Sequence, residues 1–301
     1  MLTAKRVTRP VIVVGNISVG GTGKTPLVMW LADLLQAQGR RVGIVTRGYG
    51  GHATQWPLEV TAAATPAQVG DEPVMMAART GAIVIAGPDR VAGAMLAISK
   101  GADIILSDDG LQHYRLRRDC EIAVVDAQRN LGNGLLLPAG PLREPASRLR
   151  RVDLLVRTRR TEGATVPSSA PGEVTATMRL REAVSIAGGG RRALADFRGR
   201  PVHALAAIGH PQAFFEALRQ LGLQVMAHPL PDHAKLMLSD ITFDDDAPVL
   251  MTEKDAVKCR EFAQARHWSV LMDLDMSERD VAVITVVVER SLQPFRDDQT
   301  R

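Results

Sequence analysis

The stretch from Val11 to Pro26 constrains this chain more than any other. An apolar run, Val11 to Val14, leads into glycines at 15, 20, 21 and 23 and then into Lys24, Thr25 and Pro26. Polyphosphate reaches bare backbone N–H groups only where side chains are missing, and a helix N-terminus adds partial positive charge. The stretch therefore reads as a nucleotide phosphate loop: Ser18, Val19, Gly20, Gly21, Thr22 and Gly23 form the cradle, Lys24 meets phosphate, and Thr25 meets phosphate and magnesium. Ser18 stands where the usual pattern has its first glycine, yet Gly20 to Thr25 is uninterrupted. An ordinary glycine-rich turn is the alternative, and the order of strand, glycines, Lys-Thr and helix argues against it.

A strand followed by such a loop demands a partner strand, and the sequence supplies several. Leu27, Val28, Leu31, Leu34 and Leu35 recur at helical spacing up to Gly39, and Val42 to Thr46 follows as a strand, which makes a βαβ unit. Residues 82–86, 103–106, 122–125 and 152–156 are further buried-strand candidates. This alternation predicts an α/β fold, a P-loop NTPase-like parallel sheet over residues 1–165. Residues 161–172 are rich in Gly, Pro, Ser and Thr and read as a linker, and 174–187 alternate as a hairpin, so 166–198 join the first domain to a second. A smaller α/β domain is expected over 199–301, with strands at 202–208, 249–252 and 270–274 and helices at 211–221 and 254–265. Val281 to Val288 is β-branched enough to predict a strand, and the tail after Pro294 reads as frayed.

Of 301 residues, 46% are hydrophobic and the formal net charge is +4, with arginines dense between Arg143 and Arg160. Anionic partners suit this balance. Nucleic acid does not, because aromatic residues are only 4% and none interleave with the basic run. Cys120 and Cys259 are far apart and outside any C-x-x-C pattern, which fits a reducing cytoplasm. No stretch has the roughly 20 apolar residues of a membrane span.

Five strings are candidates for chemistry. Asp108 and Asp109 end the apolar run Ile104 to Leu106, where a carboxylate holds the magnesium ion of a phosphate-loop enzyme; Asp108 is the first choice, and capping of the next turn is the alternative. Asp71, in Gly70 to Pro73, is either a helix cap with Pro73 in the first turn, or the general base that phosphoryl transfer to an alcohol needs. Arg143 and Glu144 sit in a proline-bracketed loop, Pro138 to Pro145, where an arginine binds phosphate or else makes a surface salt bridge. His228, Asp232 and His233 are too few and poorly spaced for a firm metal site. Thr252 to Asp255 fails the guanine-reading pattern, because Lys254 and Asp255 are adjacent, and reads as well as a helix cap.

Gly15-Asn16, Gly20 to Pro26, Thr46 to Gly50, Gly70 to Pro73, Asp108 to His113, Gly140 to Pro145, Pro231 to His233 and Thr252 to Lys258 occur in the order that resembles the tetraacyldisaccharide 4'-kinase family. The resemblance spans most of the chain. It implies an ATP- and magnesium-dependent kinase acting on the 4'-hydroxyl of an acylated glucosamine disaccharide 1-phosphate in lipid A assembly. It implies Lys24 and Thr25 on phosphate and magnesium, Asp108 on magnesium, Asp71 as base, and Arg143 and Glu144 positioning phosphate or sugar. It also implies that Asp109 pairs with His233 across the interdomain cleft, closing on nucleotide. Members commonly carry an apolar segment ahead of the phosphate loop; here only the basic Met1 to Pro10 precede it. Peripheral attachment to the cytoplasmic face of the inner membrane is the expectation, with no protein partner inferred. Two rivals remain: a nucleotide-switch ATPase, whose loops usually have lysine where Val19 stands, and a kinase or ligase of a soluble metabolite.

Overall fold

The computed structural model describes residues 3–160 and 172–297, with side chains described to residue 293. The chain begins with β1 (Val11–Gly15), α1 (Lys24–Ala37), β2 (Val42–Thr46) and the short β3 (Leu58–Glu59). It continues through α2 (Pro66–Val69), α3 (Asp71–Arg79), β4 (Ile83–Ala86), α4 (Arg90–Ser99), β5 (Ile104–Asp108), β6 (Cys120–Asp126) and β7 (Leu154–Arg159). The second half holds β8 (Glu173–Ser185), β9 (Arg191–Ala193), β10 (Pro201–Ala206), α5 (Pro211–Gln220) and β11 (Gln224–Pro229). It ends with β12 (Val249–Thr252), α6 (Glu253–Ala256), β13 (His267–Asp275) and α7 (Glu278–Asp297).

One sheet runs through both halves in the order β11-β10-β12-β13-β8-β7-β6-β1-β5-β2-β4-β3, with β9 beside β8. The fold is α/β and mostly parallel. Among the described residues, the strand pairs β13–β8, β8–β9 and β3–β4 are the antiparallel ones. β8 is the seam, since it pairs parallel with β7 and antiparallel with β13. Continuous runs such as Val11 to Val14 and Ile104 to Leu106 are buried because helices cover both sheet faces. Leu27, Leu31 and Leu35 of α1 pack on one face, and Ala94 and Ala97 of α4 on the other.

Three expectations need correction. Val281 to Val288 forms part of helix α7, in which Ile284, Val288 and Leu292 are buried at four-residue spacing while Val286 is half exposed. Packing of that stripe overrides the β preference of branched side chains. The hairpin lies further on than 174–187, because β8 extends unbroken for 13 residues to satisfy partners on both edges, and the turn precedes β9. The helix expected over 254–265 stops at Ala256; Lys258 and Cys259 instead bond to carbonyls three residues back, drawing Cys259 into the core. The linker expectation at 161–172 falls, except for Gly172, on residues outside the described ones, as does the end of the tail.

Candidate active site

Val14 of β1 is in register with Asp108 of β5, so the phosphate loop and the acidic pair leave the same edge of the sheet. Strand ends at a reversal of strand order are where open α/β sheets bind ligands. Gly23 caps α1 in the left-handed conformation at φ 84°, which a side chain would strain. The Thr158 hydroxyl donates to the Thr22 carbonyl at 2.8 Å, anchoring the loop to β7. On its other side Val19 N–H donates to the Pro141 carbonyl at 2.9 Å, and Ser18 bridges Leu142.

Lys24 Nζ donates to Asn16 Oδ1 at 3.1 Å and lies 3.3 Å from Asp109 Oδ1. The Thr25 hydroxyl is 3.5 Å from Asp108 Oδ2, while Asp108 Oδ1 is buried with no partner among the described residues. A hydroxyl and a carboxylate with a spare oxygen are the donor set of a small, hard divalent cation that keeps waters. Burial, then the charge of Glu72, pushes the Asp108 carboxyl up to about 7. Burial acts the same way on Asp109, but Lys24 and Arg143 overcome it and hold that carboxyl below its ordinary value. Arg143 Nη1 donates to both Asp109 oxygens at 3.3 Å. Glu144 accepts from Gln112 Nε2 at 2.5 Å and from the Tyr114 hydroxyl, and Gln112 also donates to the Asn16 carbonyl. Arg143 and Glu144 are thus neighbours in sequence with different tasks: one faces the acidic pair, the other braces the loop.

A second cluster lies within electrostatic reach of the first. Asp71 is the first residue of α3, whose cap is Gly70 rather than Asp71 itself. Its Oδ2 lies 3.6 Å from His233 Nδ1 and 3.4 Å from Lys258 Nζ. Lys258 also donates to Asp255 Oδ1 and to the Ala234 carbonyl, both at 3.1 Å. Glu72 bridges the clusters: it sits 3.6 Å from Lys254 Nζ and acts electrostatically on Asp108.

The expected Asp109–His233 pair is therefore replaced. Asp109 is held by Lys24 and Arg143, and His233 by Asp71. The physical reason is the cation pair at the phosphate loop, which claims both Asp109 oxygens. His228 belongs elsewhere: its Nε2 meets His203 Nδ1 at 2.9 Å inside the second half. Thr252 caps α6, its hydroxyl accepting from Asp255 N–H at 3.2 Å. Lys258, Glu72, Asn16 and Gln112 were given no role by sequence reasoning, although each lies within a string quoted for the family resemblance. The buried Arg90, whose Nη2 donates to the Asp108 carbonyl at 3.4 Å, carried no such signal.

Residues 1–290 match the family model of tetraacyldisaccharide-1-P 4'-kinase. A tetraacyldisaccharide 4'-kinase of Alkalilimnicola ehrlichii is 52% identical over 266 residues, covering 87% of this chain and 77% of the relative. One of Nitrosococcus oceani is 50% identical over 269 residues, covering 89% and 77%. A crystal structure of LpxK from Aquifex aeolicus in complex with ATP superposes with a TM-score of 0.80 at 30% identity, covering 97% of this chain and 91% of that one. With that match over nearly its full length, the chain belongs to the tetraacyldisaccharide-1-phosphate 4'-kinase family.

Proposed function

We propose that Asp71 is the base with which this chain performs its family's reaction, transfer of the ATP γ-phosphoryl group to the 4'-hydroxyl of tetraacyldisaccharide 1-phosphate. The observation that carries the reading is the link, through Glu72, between two clusters: Lys24, Asp108, Asp109 and Arg143 at the sheet edge, and Asp71 with His233 and Lys258. Asp71 takes the proton as the 4'-oxygen attacks the γ-phosphorus; the bond to the bridging oxygen breaks and its electron pair leaves with ADP. His233 and Lys258 hold the Asp71 carboxylate in place, and the Lys258 ammonium offsets its negative charge. Lys24 and Arg143 offset charge on the transferred group, and Gly20 to Gly23 present N–H groups to the phosphates. Thr25 and Asp108 would hold magnesium, which when bound neutralises triphosphate charge.

A cavity of about 560 Å³ opens one turn beyond Thr25, lined by Pro26, Met29, Met178, Phe214 and Met272. Its largely apolar lining, with polar groups such as Arg160 and Lys254 at hand, suits the nucleotide base. The division into lobes at residues 165 and 198 is part of the same proposal, with β8 as the shared strand. Among the described residues no helix is long and apolar enough to cross a membrane. Attachment to the inner membrane's cytoplasmic face is proposed from the acylated acceptor.

Incubation with labelled ATP, magnesium and acylated disaccharide 1-phosphate tests the reading. Label is expected on the acceptor in step with ADP release. Folded protein that binds ATP and labels no acceptor would overturn it.

A further inference from the structure

Leu135, Leu136 and Leu137 are 52%, 47% and 53% exposed, and every residue from Gly132 to Ala139 is exposed. Three successive apolar residues on a surface are a liability unless they serve a contact. The tip is held in shape. Leu137 N–H donates to the Leu142 carbonyl at 2.8 Å, Leu142 N–H to Leu135 at 3.1 Å, and Gly140 N–H to Leu136 at 3.0 Å. Asn133 Nδ2 closes the loop on the Ala139 carbonyl at 2.9 Å. Leu142 and Pro141 are the residues that pin Ser18 and Val19, so the leucines border the phosphate loop. Exposed Val19 and Tyr114 adjoin the same segment, Tyr114 through Glu144.

Charge completes the pattern. From residue 127 to 143 the chain has no carboxylate, and its charged residues are Arg129 and Arg143. Exposed Arg150 and Arg151 follow on the turn Ala146–Arg151.

We propose that the Leu135–Leu137 tip inserts into an anionic lipid bilayer with the exposed Arg129, Arg150 and Arg151 at the headgroups, docking the phosphate loop beside a membrane-borne acceptor. The acceptor's place in the membrane rests on the reaction proposed above. A lone acyl chain would need a groove to cover it, whereas all three leucines stand about half exposed. Leucines at the acyl boundary under a cationic rim are the arrangement that holds a protein at an interface.

Co-sedimentation of the full chain with vesicles of phosphatidylethanolamine and phosphatidylglycerol tests this. The L135S/L136S/L137S protein is expected to lose about tenfold or more in vesicle partitioning while still phosphorylating detergent-dispersed acceptor. Because a triple variant can misfold, L136C gives a second reading: Cys120 and Cys259 are buried, so an environment-sensitive thiol dye goes to position 136. Its emission is expected to shift to the blue with vesicles. Unchanged partitioning of the folded triple variant, or no dye shift, overturns the proposal. So does intact vesicle binding with a raised KM for dispersed acceptor, which would assign the leucines to an acyl chain. Protein that docks through the leucines but labels no acceptor would support this surface and remove the proposed reaction.

Discussion

His233 Nδ1 lies 3.6 Å from Asp71 Oδ2, although α3 and the loop after β11 belong to different halves of the chain. His233 holds a left-handed backbone at φ 60°, which is uncommon outside glycine and turns the ring toward α3. Its ring also lies 5.3 Å from that of Tyr49.

If Asp71 receives the acceptor proton, D71N lowers kcat by about 10²–10⁴ while nucleotide affinity stays within a few-fold. H233A, which leaves the base in place, costs less, about 10–100-fold, and the double variant costs far less than the product of the two. Steady-state kinetics with equilibrium ATP binding checks both. Near-normal turnover in D71N would remove the carboxylate from that role.

Lys258 is 7% exposed and joins Asp71 to Asp255, which is wholly buried. Asp255 also accepts from Ala207 N–H at 3.0 Å, so it cannot swing out to water. K258M strands that carboxylate and is expected to destabilise the fold by about 2–4 kcal/mol in urea denaturation. A K258M/D255N protein should recover most of that stability but not the activity, since Asp71 still lacks its cation.

Asp108 predicts a trade between stability and function. Its carboxyl rises from 3.8 to about 7, first through burial. A group whose folded-state pKa is raised binds its proton more tightly when folded, so its contribution is favourable at low pH and is lost as pH climbs from about 4 to 7. The nucleotide-free D108N protein is therefore expected to be more stable than the wild type at pH 8, by up to about 4 kcal/mol, with a smaller gap at pH 5. Phosphoryl transfer falls in the same variant, which has lost an anionic oxygen for magnesium. Lower stability at pH 8 would contradict the burial argument.

Gly70 sets where Asp71 starts its helix. Its φ is +91°, and an added Cβ would lie 2.3 Å from the Tyr49 carbonyl oxygen. G70A must move either α3 or the loop carrying Tyr49, and is expected to cost about 2–3 kcal/mol together with a clear drop in kcat. G50A, also at positive φ but with open space around it, should cost less stability and spare kcat.

The local parts of this protein could be read directly from its residues. The phosphate loop, β5 with Asp108 at its end, β12 and the span of α5 follow from runs and spacings only a few residues long. Apolar continuity, glycine and proline act locally, so they speak in the sequence. Residue chemistry singled out Asp71, Arg143 and Glu144 as candidates and the family strings added His233, but neither said how they group. Val281 to Val288 shows the limit on the fold side: branched residues favour a strand, and only the buried stripe of Ile284, Val288 and Leu292 against the sheet makes the segment helical.

What the sequence by itself determined is a phosphate-binding loop on a parallel α/β sheet and the residue types around it. Tertiary structure alone decided that β8 carries one sheet through both halves, that His233 meets Asp71 while Lys24 and Arg143 occupy Asp109, and that Lys258 completes the second cluster. Such pairings depend on which charges are desolvated together when distant strands come into register. Coulomb attraction between buried groups acts over a few ångströms of space, and spacing along the chain does not encode that distance.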